Sequence, residues 1–390
     1  MSDPTPFAFH QNIIYATGLA GKKPSLPLNI EELESKALEL LSPEAHGYVS
    51  GGAGQERTMQ ANLASFDHWQ IVPRMMRDVK NRNLSVELLG TKLNSPVMVA
   101  PIGVQGIIHA DGELATARAA REVGVPYITS TVSSFPLEQV AEALGDSPRW
   151  FQLYWPSDNG VTESLLHRAE AAGYSALVVT LDTRMLAWRE RDLQQAYLPF
   201  LTGLGLVNYF SDPAFRQGLD KPPEEDGESA VLKWMSLYSD LSHTWDDIKF
   251  LRSCTKLPIV LKGILHPQDA KRALDLGVDG IIVSNHGGRQ VDGSVAALDC
   301  LPEVIDMVAD QIPVLFDSGI RRGADALKAL ALGATCVLLG RPLMWGLAIE
   351  GQAGVEEVLR RFLAELDLTM ALCGCASLSD LTPAMLRPSP

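Results

Sequence analysis

Residues 258–284 read PIVLKGILHPQDAKRALDLGVDGIIVS. An apolar run, Pro258–Lys262, leads into the amphipathic stretch Pro267–Leu276, which stops at Gly277, and a second apolar run, Gly280–Ser284, follows. Short runs of this apolarity are typical of strands that are buried on both faces, as in a parallel sheet, and glycine is a common helix terminator. The segment therefore predicts a strand–helix–strand unit.

The same unit recurs from about residue 96 onward. The apolar runs, in chain order, are Val97–Ala100, Tyr127–Ser130, Trp150–Tyr154, Ala176–Leu181, Pro258–Lys262, Gly280–Ser284, Val314–Asp317 and Cys336–Leu339. Eight strand–helix units predict a (β/α)8 TIM barrel. A doubly wound parallel sheet is the alternative, but the regular spacing of the eight runs favours closure into a barrel.

Two segments interrupt this pattern. Residues 1–95 are predicted to form an N-terminal arm and a cap over one barrel mouth, so that residues 96–390 form the barrel itself. A long insertion, residues 187–241, follows the fourth strand; it contains many aromatic residues and the stretch PPEEDG at 222–227. Long loops in compact domains are usually functional. We expect the insertion to be a packed lid with a mobile acidic tip.

The composition is that of a soluble globular protein with 390 residues. Its 33 basic and 47 acidic residues give a net charge of −14, which disfavours nucleic acid and anionic membranes as partners. A small anionic substrate stays possible, because a few local arginines can outweigh the overall charge. Transmembrane-length apolar stretches and a signal-peptide pattern are both absent, and the five cysteines form no CxxC motif. We therefore expect a cytoplasmic protein with reduced cysteines and no metal site.

Polar residues follow the predicted strands, and in a barrel these strand ends meet at one mouth. His286 follows the sixth strand and Asp182 the fourth, as a base and the partner that orients it would. Arg289, three residues after His286, can bind a carboxylate through two parallel hydrogen bonds. Lys262 ends an apolar run, so its ammonium group must face an anion or water.

The loops after the last two strands indicate a phosphate site. Ser318 and Gly319 follow the seventh strand and Gly340 follows the eighth, where backbone N–H groups can approach a ligand closely. Arg321 and Arg341 add positive charge to the same loops. This is the usual position for phosphate binding in barrels, and many phosphate-binding barrels would fit it.

The stretch SNHGGRQ at residues 284–290 resembles the signature of the FMN-dependent 2-hydroxy acid oxidases and dehydrogenases. Further stretches resemble this family in the same order over nearly the whole chain: GYVSGGA at 47–53, APIGV at 100–104, FQLY at 151–154, TLDT at 180–183, LKG at 261–263, FDSGIR at 316–321 and GRP at 340–342. The resemblance implies an FMN-containing barrel enzyme that oxidises a 2-hydroxy acid.

The resemblance also implies roles for the matching residues. On the substrate side these are His286 as the base, Asp182 as its partner, Arg289, Arg189 and Tyr48 for the carboxylate, and Tyr154 for the hydroxyl side. On the FMN side they are Lys262 at the flavin N1/C2=O edge, Ser130, Gln152, Thr180 and Ser284 on the isoalloxazine ring, Asp317, Gly319, Arg321, Gly340 and Arg341 around the ribityl phosphate, and Pro101, Ile102 and Gly103 after the first strand.

Within the family the sequence is most similar to the lactate 2-monooxygenases. The long N-terminal arm, the turn PIGV at 101–104 and the long insertion after Asp182 carry this similarity. It implies that O2 converts L-lactate to acetate, CO2 and water, in a homotetramer or homo-octamer. Gly103 stands where many relatives have alanine, and we expect it to leave space near flavin N5. Arg184 and Met185 depart from the family pattern, which leaves the exact 2-hydroxy acid open.

Three alternatives remain at this point. One is a 2-hydroxy acid oxidase of the same family, which would release the keto acid and hydrogen peroxide. The second is another phosphate-binding barrel, such as an FMN-dependent isomerase or a nucleotide dehydrogenase, for which His286, Arg289, Arg189 and Tyr154 together would have no purpose. The third is a non-catalytic barrel that serves as an interaction scaffold, against which the intact His286 and Asp182 argue.

Overall fold

Eight parallel strands close into a barrel in the computed structural model, which describes residues 6–238 and 240–389. The strands, numbered β1 to β8 along the chain, are Val97–Val99, Tyr127–Ser130, Arg149–Leu153, Leu177–Thr180, Ile259–Ile264, Gly280–Val283, Val314–Phe316 and Cys336–Leu339. Strand β8 pairs with β1, with Val337 opposite Val97, and this pairing closes the barrel. The predicted barrel is confirmed, and the doubly wound alternative is wrong. Residues 1–5, 239 and 390, which fall in the predicted arm, insertion and barrel segments, lie outside the described residues.

The strands are apolar because both of their faces are buried. Met98, Val178 and Ile282 belong to a core inside the barrel, whereas Val97 and Val179 belong to the larger core between the barrel and its helices. Successive side chains of a strand point to opposite faces, so each strand contributes residues both to the core inside the barrel and to the core under the helices. Strands of this kind read as continuous apolar runs and not as an alternating pattern.

Helices surround the barrel, and they are Gly112–Val123, Leu137–Leu144, Asn159–Ala171, Ile248–Cys254, Pro267–Asp275, Ala297–Val308, Gly323–Ala331 and Arg341–Leu372. The predicted glycine stop at Gly277 is confirmed, and Gly124 ends an earlier helix in the same way. Gly124 and Gly277 take φ values of +75° and +69° where their helices end, a left-handed conformation that glycine adopts without steric cost. Each helix ends near the start of the next strand. All eight strands therefore run in the same direction, and their C-terminal ends lie at one mouth of the barrel.

The N-terminal segment reaches both ends of the barrel. Its helices are Phe9–Leu19, Ile30–Leu40, Pro43–Ser50 and Arg57–Ala64, and its strands are Trp69–Ile71, Val86–Leu88 and Thr91–Leu93. Tyr48 lines the mouth where the strands end. Leu88 and Leu93, from the hairpin directly before β1, instead pack on the core inside the barrel, at the end where the strands begin. The segment therefore covers more than the single mouth that the sequence predicted. The chain ends near this segment, because Leu386–Pro388 pairs with Trp69–Ile71.

The insertion after β4 consists of short helices, which are Glu190–Gln194, Pro199–Thr202, Val207–Phe210, Pro213–Gln217 and Gly227–Leu237. Its aromatic residues form a packed cluster, as predicted: the side chains of Phe200, Tyr209, Phe215 and Trp234 are buried. The ring centroids of Phe200 and Trp234 lie 5.1 Å apart. At the acidic tip, Glu224 forms an ion pair with Arg216 at 2.8 Å. Mobility of the tip stays a prediction.

Within the described residues, the helices include none that is both long and apolar enough to cross a membrane. The same residues contain no cluster of three histidine, cysteine or acidic side chains that could hold a metal ion. All five cysteines are free thiols.

Candidate active site

A cleft opens at the end of the barrel where the strands terminate. Most of the residues singled out in the sequence line it: Tyr48, Pro101, Ile102, Gly103, Tyr154, Arg189, Lys262, His286, Arg289, Asp317, Gly319, Arg321, Gly340 and Arg341. The others do not line the cleft. Asp182, Ser130 and Ser284 hydrogen-bond to residues that do, and Gln152 and Thr180 connect to the cleft lining through Ser130. The topology of the barrel thus brings the whole predicted set to one place.

His286 and Asp182 form a direct pair across the mouth. The Nδ1 atom of His286 lies 2.7 Å from Oδ1 of Asp182, and the hydroxyl of Thr183 donates to the same oxygen at 2.9 Å. His286 has a left-handed backbone with φ of +59°, a conformation that is costly for a residue with a side chain and is often found at functional sites. Its ring is thereby fixed with Nε2 toward the cleft, 3.4 Å from the hydroxyl of Tyr154.

The surroundings of this pair set the protonation of both groups. Burial lowers the pKa of His286; the positive charges of Lys262 and Arg189 lower it further, and Asp182 opposes the shift. Burial alone would raise the pKa of Asp182, but the contacts with His286 and the charge of Lys262 hold it below its ordinary value. At neutral pH the carboxylate is therefore ionised and the imidazole is neutral. A neutral imidazole whose other nitrogen is held by a carboxylate can accept a proton.

Two arginines bring surplus positive charge to the cleft beside this pair. Arg289 donates from Nη1 to the carbonyls of Tyr48 and Gly51, both at 2.7 Å, and its guanidinium lies 5.0 Å from the centre of the Tyr48 ring. Arg189 is buried, and its nearest carboxylate is Asp192 at 3.9 Å. Burial and the neighbouring charge of Arg189 lower the pKa of Arg289 to about 10. Arg289 therefore remains charged at neutral pH, and with Arg189 beside it this part of the cleft favours a small anion.

A second pair of arginines lies at the ends of β7 and β8. Arg341 donates to the carbonyls of Gly287 and Gly51, both at 3.0 Å, and Arg321 lies over the ring of Trp345 at 5.2 Å. Among the described residues neither arginine forms an ion pair with a carboxylate. Both arginines are half-buried, and a guanidinium withdrawn from water without an acidic partner is costly unless an anion neutralises it. Arg321 and Arg341 therefore provide the positive charge that the phosphate site predicted from the sequence requires.

Lys262 is buried in the floor of the cleft, with 3% of its surface exposed. Its ammonium nitrogen lies 3.0 Å from Oδ2 of Asp317 and 2.8 Å from the hydroxyl of Ser284. Burial alone would lower the pKa of Lys262, but the charges of Asp317 and Asp182 raise it. The lysine therefore stays charged beside the mouth of the barrel. Because Asp317 is an anion that pairs with Lys262, it cannot attract a phosphate as the neighbouring arginines can.

A row of hydrogen-bonded polar side chains links the ends of β2, β3 and β4. The hydroxyl of Ser130 donates to Oε1 of Gln152 at 3.1 Å, and Nε2 of Gln152 donates to the hydroxyl of Thr180 at 3.0 Å. All three side chains are buried. Buried polar groups need partners, and the members of this row supply them for each other.

The expectation that Gly103 leaves free space is wrong. A methyl group at Gly103 would lie 2.2 Å from the carbonyl oxygen of Val132 and 2.7 Å from its Cγ2 atom. That carbonyl accepts from the N–H of Val104 at 2.9 Å, which holds the loops after β1 and β2 together. The glycine therefore permits a close approach of two loops, and alanine there would push them apart instead of filling an empty volume.

Three residues at the mouth were not predicted from the sequence. Thr183 supports Asp182, as described above, and Gln290 contacts both Arg189 and the backbone of Asp182. Tyr238, from the end of the insertion, lines the cleft with its ring centroid 6.0 Å from that of Tyr154. Thr183 and Gln290 are adjacent in sequence to the predicted site residues Asp182 and Arg289, and this adjacency is the feature by which the sequence could have indicated them. Nothing in the sequence sets Tyr238 apart from the other aromatic residues of the insertion.

Comparison with known proteins gives consistent matches over nearly the whole chain. Residues 37–388 match the family model of FMN-dependent dehydrogenases. An FMN-dependent alpha-hydroxy acid dehydrogenase of Penicillium citrinum is 46% identical over 388 residues, which cover 98% of this chain and 96% of that protein. An L-lactate oxidase of Lysinibacillus sphaericus is 45% identical over 355 residues, or 91% of each chain. A crystal structure of mandelate oxidase with (S)-4-hydroxymandelic acid superposes with a TM-score of 0.83 at 38% identity, covering 93% of this chain and 99% of that one.

Proposed function

The chain belongs to the family of FMN-dependent dehydrogenases and oxidises 2-hydroxy acids with FMN; we propose that its substrate is a small L-2-hydroxy acid, L-lactate. We propose O2 as the oxidant. One observation carries the proposal: His286, held by Asp182 at 2.7 Å, faces the same cleft as Arg289 and Arg189, which among the described residues have no carboxylate oxygen closer than 3.9 Å. A 2-hydroxy acid has a hydroxyl proton that His286 can accept and a carboxylate that Arg289 and Arg189 can bind.

The residues of the cleft fit FMN. Arg321 and Arg341, which have no acidic partner among the described residues, would hold its phosphate. Lys262 would lie against the edge of the flavin ring that gains negative charge, where a fixed cation stabilises that charge. FMN, when bound, accepts the hydrogen and the electrons that leave the substrate and passes them to O2.

The side chains place the substrate as follows. Arg289 and Arg189 bind the carboxylate, and Tyr48, whose ring lies under Arg289, contributes a further hydrogen bond. The substrate hydroxyl then lies near Tyr154 and Nε2 of His286. His286 accepts the hydroxyl proton at Nε2, and Asp182 stabilises the resulting imidazolium through its contact with Nδ1.

We further propose that the keto acid stays bound long enough to be decarboxylated. Phe200 and Tyr238 of the insertion line the cleft, so this segment covers the mouth of the barrel. Arg289 and Arg189 hold the carboxylate of pyruvate as they hold that of lactate. Pyruvate and hydrogen peroxide retained together give acetate, CO2 and water, so the overall reaction is lactate plus O2 to acetate, CO2 and water.

Product analysis tests this step. We expect acetate and CO2 to account for most of the L-lactate consumed in air, with little free peroxide, when catalase is absent. The measurement quantifies acetate, pyruvate and peroxide from the first turnovers onward. Pyruvate added with hydrogen peroxide but without enzyme serves as the control for decarboxylation in solution. Stoichiometric pyruvate and peroxide from the first turnovers would contradict retention of the keto acid.

A second candidate is a 2-hydroxy acid oxidase that releases the keto acid and hydrogen peroxide. The name of the relative from Lysinibacillus sphaericus, an L-lactate oxidase with 45% identity, favours it. Both candidates share the oxidation step and its residues. They differ only in whether the keto acid leaves the cleft before peroxide reacts with it, which the same product analysis decides.

The protonation of His286 predicts the pH dependence of the oxidation step. The base must be neutral to act, and burial places its pKa below the ordinary value of 6.5. We therefore expect kcat/KM for L-lactate to stay level from neutral pH to below 6.5, and to fall only as the pH drops further through the lowered pKa. In Asp182→Asn, which lacks the carboxylate that raises this pKa, the fall should move to still lower pH. A fall centred above 6.5 would contradict the assignment of His286 as the base.

A further inference from the structure

Gln290 connects two parts of the site that lie on different strands. It directly follows Arg289 after β6, and its Oε1 atom accepts from Nη2 of Arg189 at 2.9 Å. Its Nε2 atom donates to the backbone carbonyl of Asp182 at 2.8 Å and to that of Met185 at 3.2 Å. One side chain therefore contacts the backbone just before the insertion, an arginine of the cleft and the residue that holds His286.

An amide is the side chain that this position requires. A primary amide offers an acceptor and two donors, and here the acceptor faces a guanidinium while the donors face two carbonyls. The opposite orientation of the amide would place its NH2 group against the donors of Arg189 and its oxygen against the two carbonyl oxygens. Only the observed orientation therefore satisfies all three hydrogen bonds. A carboxylate would neutralise Arg189 and repel both carbonyl oxygens, whereas an apolar side chain would leave all three groups without this partner.

The amide also completes the fixation of Arg189. The Nε atom of Arg189 donates to the carbonyl of Arg289 at 3.1 Å, and Nη2 donates to Gln290, so the β6 loop holds the guanidinium at two points. Its remaining nitrogen, Nη1, lies 3.9 Å from Asp192, beyond hydrogen-bond distance. The guanidinium is thus held along one side while keeping its charge and Nη1 for a ligand.

We infer that Gln290 is a positioning residue whose neutral amide holds the carboxylate-binding arginine Arg189 and the backbone of Asp182 in a fixed relation. The substrate carboxylate and the substrate hydroxyl are recognised by groups on these two sides, so the amide sets the distance between them. The inference rests on the proposed function, because it takes the anion at Arg189 to be the carboxylate of a 2-hydroxy acid.

The test replaces Gln290 with glutamate, which keeps the size of the side chain and adds a negative charge next to Arg189. A charge-assisted hydrogen bond contributes about 1.5–3 kcal/mol, so loss of one corresponds to about 10- to 150-fold in affinity. We expect the Kd of pyruvate for the oxidised, FMN-loaded Gln290→Glu variant to rise by about 10- to 100-fold. The change in FMN absorption on titration with pyruvate reports this Kd without turnover.

Two further variants make the result specific. Gln290→Met keeps the volume and adds no charge, so Arg189 loses a partner but stays cationic; pyruvate affinity should fall, but less than in Gln290→Glu. Gln195→Glu places the same extra charge on an exposed residue of the insertion. It should leave the Kd of pyruvate unchanged, which separates a local contact from a general change in charge.

The uncharged ligand L-lactamide distinguishes positioning of the carboxylate site from general damage. Its Kd should rise much less than that of pyruvate in Gln290→Glu, because it has no carboxylate for Arg189 to bind. Unchanged pyruvate affinity in Gln290→Glu, or an equal loss for pyruvate and L-lactamide, would overturn the inference. Failure of the proposed function shows separately, as unmodified enzyme whose FMN is not reduced by L-lactate or other small 2-hydroxy acids.

Discussion

Replacing His286 with alanine should slow the reduction of bound FMN by L-lactate by about 10²- to 10⁴-fold, the usual contribution of general base catalysis. The hydroxyl proton would then have no acceptor, since Tyr154, the other group near that position, has a pKa raised by burial and by the negative charge of Asp182, so it stays protonated. The rate is measured as the loss of FMN absorption after anaerobic mixing with lactate, and the FMN content is measured on the same sample.

FMN should stay bound in this variant, because the arginines that we assign to its phosphate lie on other strands. His167→Ala is a suitable control: this histidine is exposed on the helix Asn159–Ala171, outside the cleft. It should be reduced at the rate of the unmodified enzyme. Reduction of His286→Ala at that same rate would show that the proton goes elsewhere.

Arg289→Lys should lower kcat/KM for L-lactate by about 10- to 150-fold although the charge is kept. Arg289 uses Nη1 for the carbonyls of Tyr48 and Gly51 and has further donors for a ligand. An ammonium group cannot make these backbone contacts and two parallel hydrogen bonds to a carboxylate at once. The measurement is steady-state turnover of lactate, accompanied by the Kd of pyruvate.

L-Lactamide provides the matching test on the substrate side. It should be a poor substrate of the unmodified enzyme, because it lacks the carboxylate. Arg57→Lys, at an exposed arginine of the N-terminal segment, provides the control for the arginine-to-lysine change itself. If lactamide were oxidised as well as lactate, the arginines would not be the carboxylate site.

Much of the fold could be predicted because its determinants are local. Strands buried on both faces are visible as short apolar runs, and helix stops are visible as glycines such as Gly124 and Gly277. Once a barrel is predicted, the topology alone brings the strand ends together. His286 and Asp182 are 104 residues apart in the chain, yet the sequence placed them at one mouth and the structure joins them at 2.7 Å.

The features that could not be predicted depend on contacts between specific atoms. A glycine at position 103 suggests free space, because the sequence does not show that the carbonyl of Val132 lies there. Gln290 reaches the backbone of Asp182 across 108 residues, and backbone carbonyls leave no mark on the sequence. The hairpin that contains Leu88 and Leu93 is short, so its position under the barrel follows only from packing.

Because several arginines lie close together in the cleft, the stability of the folded chain depends on the binding of anionic ligands. Burial lowers the pKa of Arg341 well below its ordinary value, and the nearby charges of Arg289 and Arg321 lower it further. Like charges held this close oppose the folded state until anions neutralise them. A ligand that binds only the native chain stabilises it by mass action, by about 2.7 kcal/mol at a free concentration 100 times its Kd. With its phosphate on these arginines, as proposed, FMN contributes to the thermodynamic stability of the protein, and we expect the free energy of unfolding to rise with the concentration of free FMN.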